Sequence, residues 1–363
     1  MANVTTGTSP ATVLSGLSAP VPFKDVVVII GDRDAGQQDA DASAPEEYAS
    51  AAVSALPSNP KLFLRRYQGT WVLEPWVPGI VCIQRGAFAP RRGDVVIASP
   101  PMCGAPWLKA LAFAAMARGV HPPAADPAGH PLLRVHPDDC VPSMEKQFGT
   151  ALGRKAMDAL PSPRLMATHM HRSILPASIA ENPDCKIVYI CRDPKDMLVS
   201  MWQFSRKIRP DLEFSDLLEA ACEGSCLSGP IWDHVLGYWN ASKASPERVL
   251  FMRYEEMLQD PVGNVVKLSR FLGRPFSPDE EEAGVAMDVV RMCSKLKDLE
   301  VNRVGSGSSP LPGIREGGLM NKNNSYFSRG EVGDWANHMT PEMARRLDVV
   351  MEERLLGSGF SFC

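Results

Sequence analysis

No stretch of this 363-residue chain approaches the roughly 20 consecutive apolar residues that a membrane-spanning helix needs, so no segment reads as a bilayer anchor. An excess of one charge is also missing, since 38 Lys and Arg stand against 42 Asp and Glu for a formal net charge of −4. That balance argues against a nucleic-acid partner, although a local basic pocket for a small anion would be invisible in the sum. CxxC spacing is absent, and the nine cysteines fall at irregular intervals with Cys222 and Cys226 the one close pair. Such a pattern implies reduced, mostly buried thiols rather than a disulfide framework. The N-terminus, MANVTTGTSPATVLSGLSAP, lacks the basic and apolar regions of a secretory signal and the arginines of a transit peptide, which by default implies a cytoplasmic location.

What is present is a composition of 45% hydrophobic and 22% charged residues, enough to build one α/β domain. Residues 1–58 are rich in Ala, Ser, Pro and Asp and read as a largely flexible N-terminal extension, with Val26 to Ile30 as its one strand-like run. Clustered aromatics in RRYQGTWVLEPWVPGIVCIQRGAF then place the start of the folded domain near residue 59, and it runs to residue 363. Within it, β-like runs at Val95–Ala98, Arg164–Thr168, Lys186–Cys191 and Val249–Arg253 alternate with helical signals. The helices are predicted at Trp107–Arg118, Ile174–Ala180, Pro194–Ser205, Ile231–Ala241 and Pro261–Phe271. This alternation predicts a parallel sheet covered by helices, with ligand positions at the carboxyl ends of the strands.

Chemistry concentrates in segments that follow those strands. VVIASPPMCGAPWLK reads as strand, tight loop at Gly104 and helix start, a geometry that holds phosphate. Yet Met102, Cys103, Ala105 and Pro106 stand where such a loop carries a lysine and hydroxyls. In KIVYICRDPKDMLVS, Arg192 at a strand tip and Ser200 on the next helix can clamp a phosphate, or Arg192 can simply pair on the surface with Asp193 or Asp196. In RLMATHMHRSILP, a strand delivers His169 ahead of a helix capped by Ser173, and His169 and His171 point the same way on an extended chain. Either is suited to take a proton from a hydroxyl near neutral pH, and either can be structural. No metal is expected, because His-x-His alone lacks enough ligands. Arg329 and Gly330, in SYFSRGEVGDWANHMTPEM, offer a cation beside permissive backbone, ahead of a helix capped by Thr340 with Pro341 at its first position.

In this order the segments resemble the cytosolic sulfotransferases, and the plant branch in particular. The resemblance runs from about residue 59 to residue 360 through YQGTWVLEPWVPGI, DVVIASPP, LKALAFA, ATH, CKIVYICRDPKDMLVSMWQF, GPIWDHVLGYWNAS, VLFMRYEEML and RGEVGDWANHMTPEM. It implies a single α/β domain, a parallel β-sheet flanked by helices on both faces with a P-loop-like phosphosulfate-binding loop. The implied reaction transfers a sulfonate from 3′-phosphoadenosine 5′-phosphosulfate (PAPS), a co-substrate, to a hydroxyl of a small acceptor of the phenol, flavonoid, steroid or hormone class. By this resemblance His169 is the general base and His171 is demoted. Gly104 belongs to the phosphosulfate loop, Arg192, Ser200, Arg329 and Gly330 would hold the 3′-phosphate, and Trp107 and Tyr254 would contact the adenine.

Departures from the family pattern gather at the phosphosulfate. Met102 replaces the lysine that neutralises the leaving group, a loss worth about 3–4 kcal/mol in the transition state. Ala105 and Pro106 remove hydroxyls, Ser328 stands for an arginine and Lys295 for an adenine-side phenylalanine. These losses imply weakened activity or, as the alternative, a catalytically inactive relative that binds a small ligand or a protein. Lys109 reads as a solvent-facing helix residue rather than a substitute cation. The family's dimer pattern is not met at Ala336, which implies a monomer or weak dimer. Trp71, Trp76, Phe88, Trp202 and Phe204 are either acceptor-pocket walls or core.

Overall fold

A computed structural model describes residues 53–123, 130–134, 136–302 and 331–362 of the chain. The first elements form a small antiparallel sheet, β1 (Ser58–Asn59), β2 (Leu64–Tyr67) and β3 (Thr70–Leu73), followed by helix α1 (Val77–Cys82). The main sheet contains β4 (Val95–Ala98), β5 (Leu165–Thr168), β6 (Lys186–Cys191) and β7 (Val249–Arg253). All pairings are parallel, in the order β5-β4-β6-β7, with Ala98 level with Thr168 and with Tyr189. The principal helices are α2 (Ala105–Ala117), α3 (Pro194–Ser205), α4 (Phe214–Glu223), α5 (Ile231–Ala244), α6 (Pro261–Phe271), α7 (Val285–Asn302) and α8 (Pro341–Leu355).

Near-continuous apolar runs make these strands because both faces of the sheet are covered. Val96, Ala98, Ile187 and Tyr189 turn to one face and pack with Met197, Leu198, Val235 and Tyr238 of α3 and α5. Val95, Ile97, Val188 and Ile190 turn to the other and meet Leu108, Leu111, Val265, Leu268 and Val289 of α2, α6 and α7. Every residue of α2 except Pro106 is buried, and its many alanines let neighbouring helices approach closely. Caps fix where the helices begin. Asp193 accepts from the Lys195 N–H ahead of α3, Asp260 from Gly263 ahead of α6, and Thr340 from Met343 ahead of α8, each with proline at the first helical position.

The predicted strands are all present, and so are four of the five predicted helices within a few residues. The exception is Ile174–Ala180, which is instead a 3₁₀ turn at Arg172–Ile174 and a single helical turn at Ala177–Ala180. Pro176 separates them, because it offers no N–H and restricts the residue before it. Ser173 therefore lies inside the turn and caps nothing. At the N-terminal edge, Val53 is buried in the core and Ser58 pairs with Arg65, while Val26 to Ile30 lie outside the described residues. The eight described cysteines are free, and six of them are buried. Among the described residues no helix is long and apolar enough to cross a membrane.

Candidate active site

Because the main strands are parallel, their carboxyl ends share one edge of the sheet, and the residue after each strand faces a common region. Those residues are Ser99, which opens the loop after β4, His169 after β5, Arg192 after β6 and Tyr254 after β7. The loop after β4 turns twice through the left-handed region, at Met102 (φ 64°) and Gly104 (φ 84°). Glycine is required at 104 for a second reason, since a Cβ there would run into the Tyr254 ring. Pro106 occupies the second helical position of α2, where its missing N–H breaks no intrahelical bond.

One half of the site is a cluster around Arg192, which is buried at 5% exposure rather than a surface residue. Its Nη1 donates to Ser200 Oγ at 3.0 Å, and its guanidinium lies 4.9 Å from the Tyr254 ring centroid. Trp107 meets Tyr254 edge to face at 6.1 Å, so Gly104, Trp107, Arg192, Ser200 and Tyr254 form one contiguous group. Arg192 Nη2 donates to the Glu331 carbonyl at 3.0 Å. Asp196, 3.9 Å from the guanidinium, accepts from the backbone N–H groups of Gly333 and Trp335 at 2.8 and 3.0 Å. The stretch from residue 331 is thereby tied to α3, while Ser328, Arg329 and Gly330 lie outside the described residues. The Cys103 thiol is buried in the loop, and burial pushes it far above its ordinary range, which favours the neutral thiol.

The other half is built around His169. Its Nδ1 lies 2.8 Å from the Ser99 carbonyl, which can only accept, so Nδ1 carries the hydrogen and Nε2 presents a lone pair. Trp76 stacks on the ring at 5.3 Å and 16°. Burial holds the imidazole below its ordinary pKa, opposed by the Glu145 carboxylate and reinforced by the Lys109 ammonium. The ring is therefore neutral near pH 7 and able to accept a proton. His171 is different in kind. It is 3% exposed, its Nε2 donates to the Ser228 carbonyl at 2.9 Å, and burial holds it down to about 4. Its neighbour His234, also buried, bridges Tyr189 Oη (3.0 Å) and the His169 carbonyl (3.2 Å) from α5. The alternation of side chains along an extended strand does not distinguish the two histidines, but their partners do.

Lys109 departs from expectation. It is 3% exposed, and its Nζ forms a 2.7 Å ion pair with Asp138 of the helical turn Pro137–Cys140. Burial opposes ionisation of Asp138, but Lys109, with His136 and Lys146, outweighs it and holds the carboxyl well below the ordinary range. Of the aromatic candidates, Phe88 is core, packed on Phe148 and under Arg164. Glu145 and Asp138, which organise the region around His169, carry no signal in the sequence: neither sits at a strand tip or in a recognisable motif. Asp196 was visible only as a possible surface partner of Arg192.

A loop that opens a buried helix, a buried arginine and a neutral histidine at the carboxyl edge of a parallel sheet define a P-loop-like α/β protein. Comparison with known proteins is consistent with this. Residues 92–359 match the Sulfotransferase domain family. The chain is 40% identical over 298 residues to Cytosolic sulfotransferase 3 of Arabidopsis thaliana, covering 80% of this chain and 86% of that protein. It is 37% identical over 319 residues to Flavonol 3-sulfotransferase of Flaveria bidentis, covering 85% and 97%. A crystal structure of an Arabidopsis thaliana protein, provisionally described as a steroid sulphotransferase, superposes with a TM-score of 0.67 at 32% identity, covering 86% of this chain and 94% of that one. The chain belongs to the sulfotransferase family.

Proposed function

We propose that this protein transfers a sulfonate from PAPS to a hydroxyl of a small acceptor, with His169 as general base. The observation that carries this reading is the Nδ1 contact of His169 with Ser99, which leaves Nε2 unprotonated at the end of β5. In the proposed step Nε2 takes the hydroxyl proton as the acceptor oxygen attacks sulfur in line. The bond from sulfur to the bridging oxygen breaks, and that oxygen departs on adenosine 3′,5′-bisphosphate. Arg192 and Ser200, with Arg329 and Gly330, hold the 3′-phosphate, Trp107 and Tyr254 contact the adenine, and the loop at Gly104 receives the phosphosulfate. Relatives named for a flavonol and a steroid support a small hydroxylated acceptor of the flavonoid or steroid class, and relatives named cytosolic support a cytosolic location.

Radiolabelled sulfonate transfer against phenols, flavonoids, sterols and hydroxy acids tests the reading. Turnover is expected in the wild type and should fall at least about 100-fold in His169→Gln. Folded wild-type protein with saturating PAPS that does no better than this variant would refute it. Two observations favour a second reading, a non-catalytic binder. Met102 is packed among apolar residues, and Lys109 is already paired with Asp138. Calorimetry with adenosine 3′,5′-bisphosphate bears on this reading, because tight binding would count against a fully abandoned nucleotide site.

A further inference from the structure

We propose that Glu145 is a positioning residue for His169: its buried carboxylate fixes the histidine's backbone and supplies the negative charge against which the ring takes up a proton. The proposal rests on the reading of His169 as the base.

Glu145 has no exposed surface. Its Oε1 accepts from Thr168 Oγ1 and from the His169 backbone N–H, both at 2.5 Å, and its Oε2 accepts from Ser143 Oγ at 3.0 Å. The His169 N–H can only donate and the Thr168 and Ser143 hydroxyls donate here, so three hydrogen bonds converge on the acceptor oxygens of the carboxylate. The Thr168 hydroxyl also accepts from the Met170 N–H at 3.1 Å, which pins the backbone on both sides of His169. Among the described residues no lysine or arginine forms an ion pair with Glu145, so its charge is left to act on its surroundings. From α2, Lys109 faces His169 and is already neutralised by Asp138 of the Pro137–Cys140 turn. Lys146, beside Glu145, is exposed to water, and His234 from α5 is neutral and bonded to the His169 carbonyl.

Glu145 is thus the strongest charged influence on the ring, and it favours the protonated form against burial. It is not a hydrogen-bond partner of the imidazole: its oxygens accept from Thr168, the His169 N–H and Ser143, and the Ser99 carbonyl occupies Nδ1. It acts through the backbone and through space. When Nε2 receives the acceptor's proton, the new imidazolium charge develops toward a fixed anion that needs no reorganisation.

Glu145→Gln tests this with little change of shape. The amide oxygen can still accept from Thr168 and His169, and its NH₂ can donate to the Ser143 hydroxyl. Nitrogen-15 titration of the His169 ring, assigned by its loss in His169→Gln, is the readout. Its proton affinity should fall about threefold or more in folded Glu145→Gln, a shift of roughly half a pH unit. An unchanged or raised affinity overturns the proposal. Glu145→Asp, which keeps the charge, is the second variant: the proton affinity of His169 should stay closer to wild type than in Glu145→Gln, and an affinity as low as in Glu145→Gln overturns the proposal. Neither measurement depends on turnover, so an absence of sulfonate transfer would count against the proposed reaction and leave the role of Glu145 to these titrations.

Discussion

Met102 shows how one residue can be both a loss and an adaptation. It stands where the family resemblance implies a lysine, and its side chain packs with Leu62, Trp202 and Leu227 around buried Met201, Leu212 and Leu217. Met102→Lys should restore charge where the sulfonate leaves, so the transfer rate should rise more than the affinity for adenosine 3′,5′-bisphosphate. Lost apolar contact should lower stability by about 1 kcal/mol. Equal changes in rate and affinity would contradict the proposed role of the missing cation. Lys109 illustrates the limit of reading residues singly. Lysine prefers solvent, but Asp138, 29 positions away, makes a buried ammonium tolerable, and no local pattern announces that partner.

Among elements, the strand-to-helix junctions were readable because their causes are local. Apolar runs, Asp193 before Pro194 and Thr340 before Pro341 fix β6, α3 and α8 without help from elsewhere. The link between α3 and the stretch from Glu331 to Trp335 was not readable, since it depends on Asp196 accepting two backbone hydrogen bonds from far along the chain. A buried charged acceptor of this kind contributes about 1.5–3 kcal/mol per bond. Asp196→Ala should therefore loosen the tie between that stretch and α3 and weaken adenosine 3′,5′-bisphosphate binding about tenfold, as read by calorimetry. Unchanged binding would show that the stretch contributes nothing to the nucleotide site.

For the whole molecule, the buried histidines couple stability to acidity. His171 and His130 are each held down to about 4 by burial, with the His121 charge adding to the effect at His130. As pH falls below the ordinary value of 6.5, the unfolded chain binds protons that the folded one refuses. The stabilisation is therefore complete above about 6.5 and is lost progressively down to about 4, where it levels off. His171 contributes up to about 3 kcal/mol across that window, and His130, more open to solvent screening, contributes less. Urea midpoints measured from pH 7 to pH 4 should fall steadily, and less steeply in folded His171→Gln. A variant that follows the wild-type slope would remove His171 from this account.

The sequence by itself determined the parallel sheet, most helix boundaries, the strand-tip positions of His169, Arg192 and Tyr254, and the lysine-free loop. These follow from apolar runs, caps and prolines, whose effects reach only a few residues. Tertiary structure decided the rest: that His169 keeps a lone pair while His171 is tied to Ser228, that Lys109 is buried on Asp138, and that Glu145 lies beneath the base. Those outcomes depend on desolvation and on partners tens of residues apart, which come together only when the chain has folded.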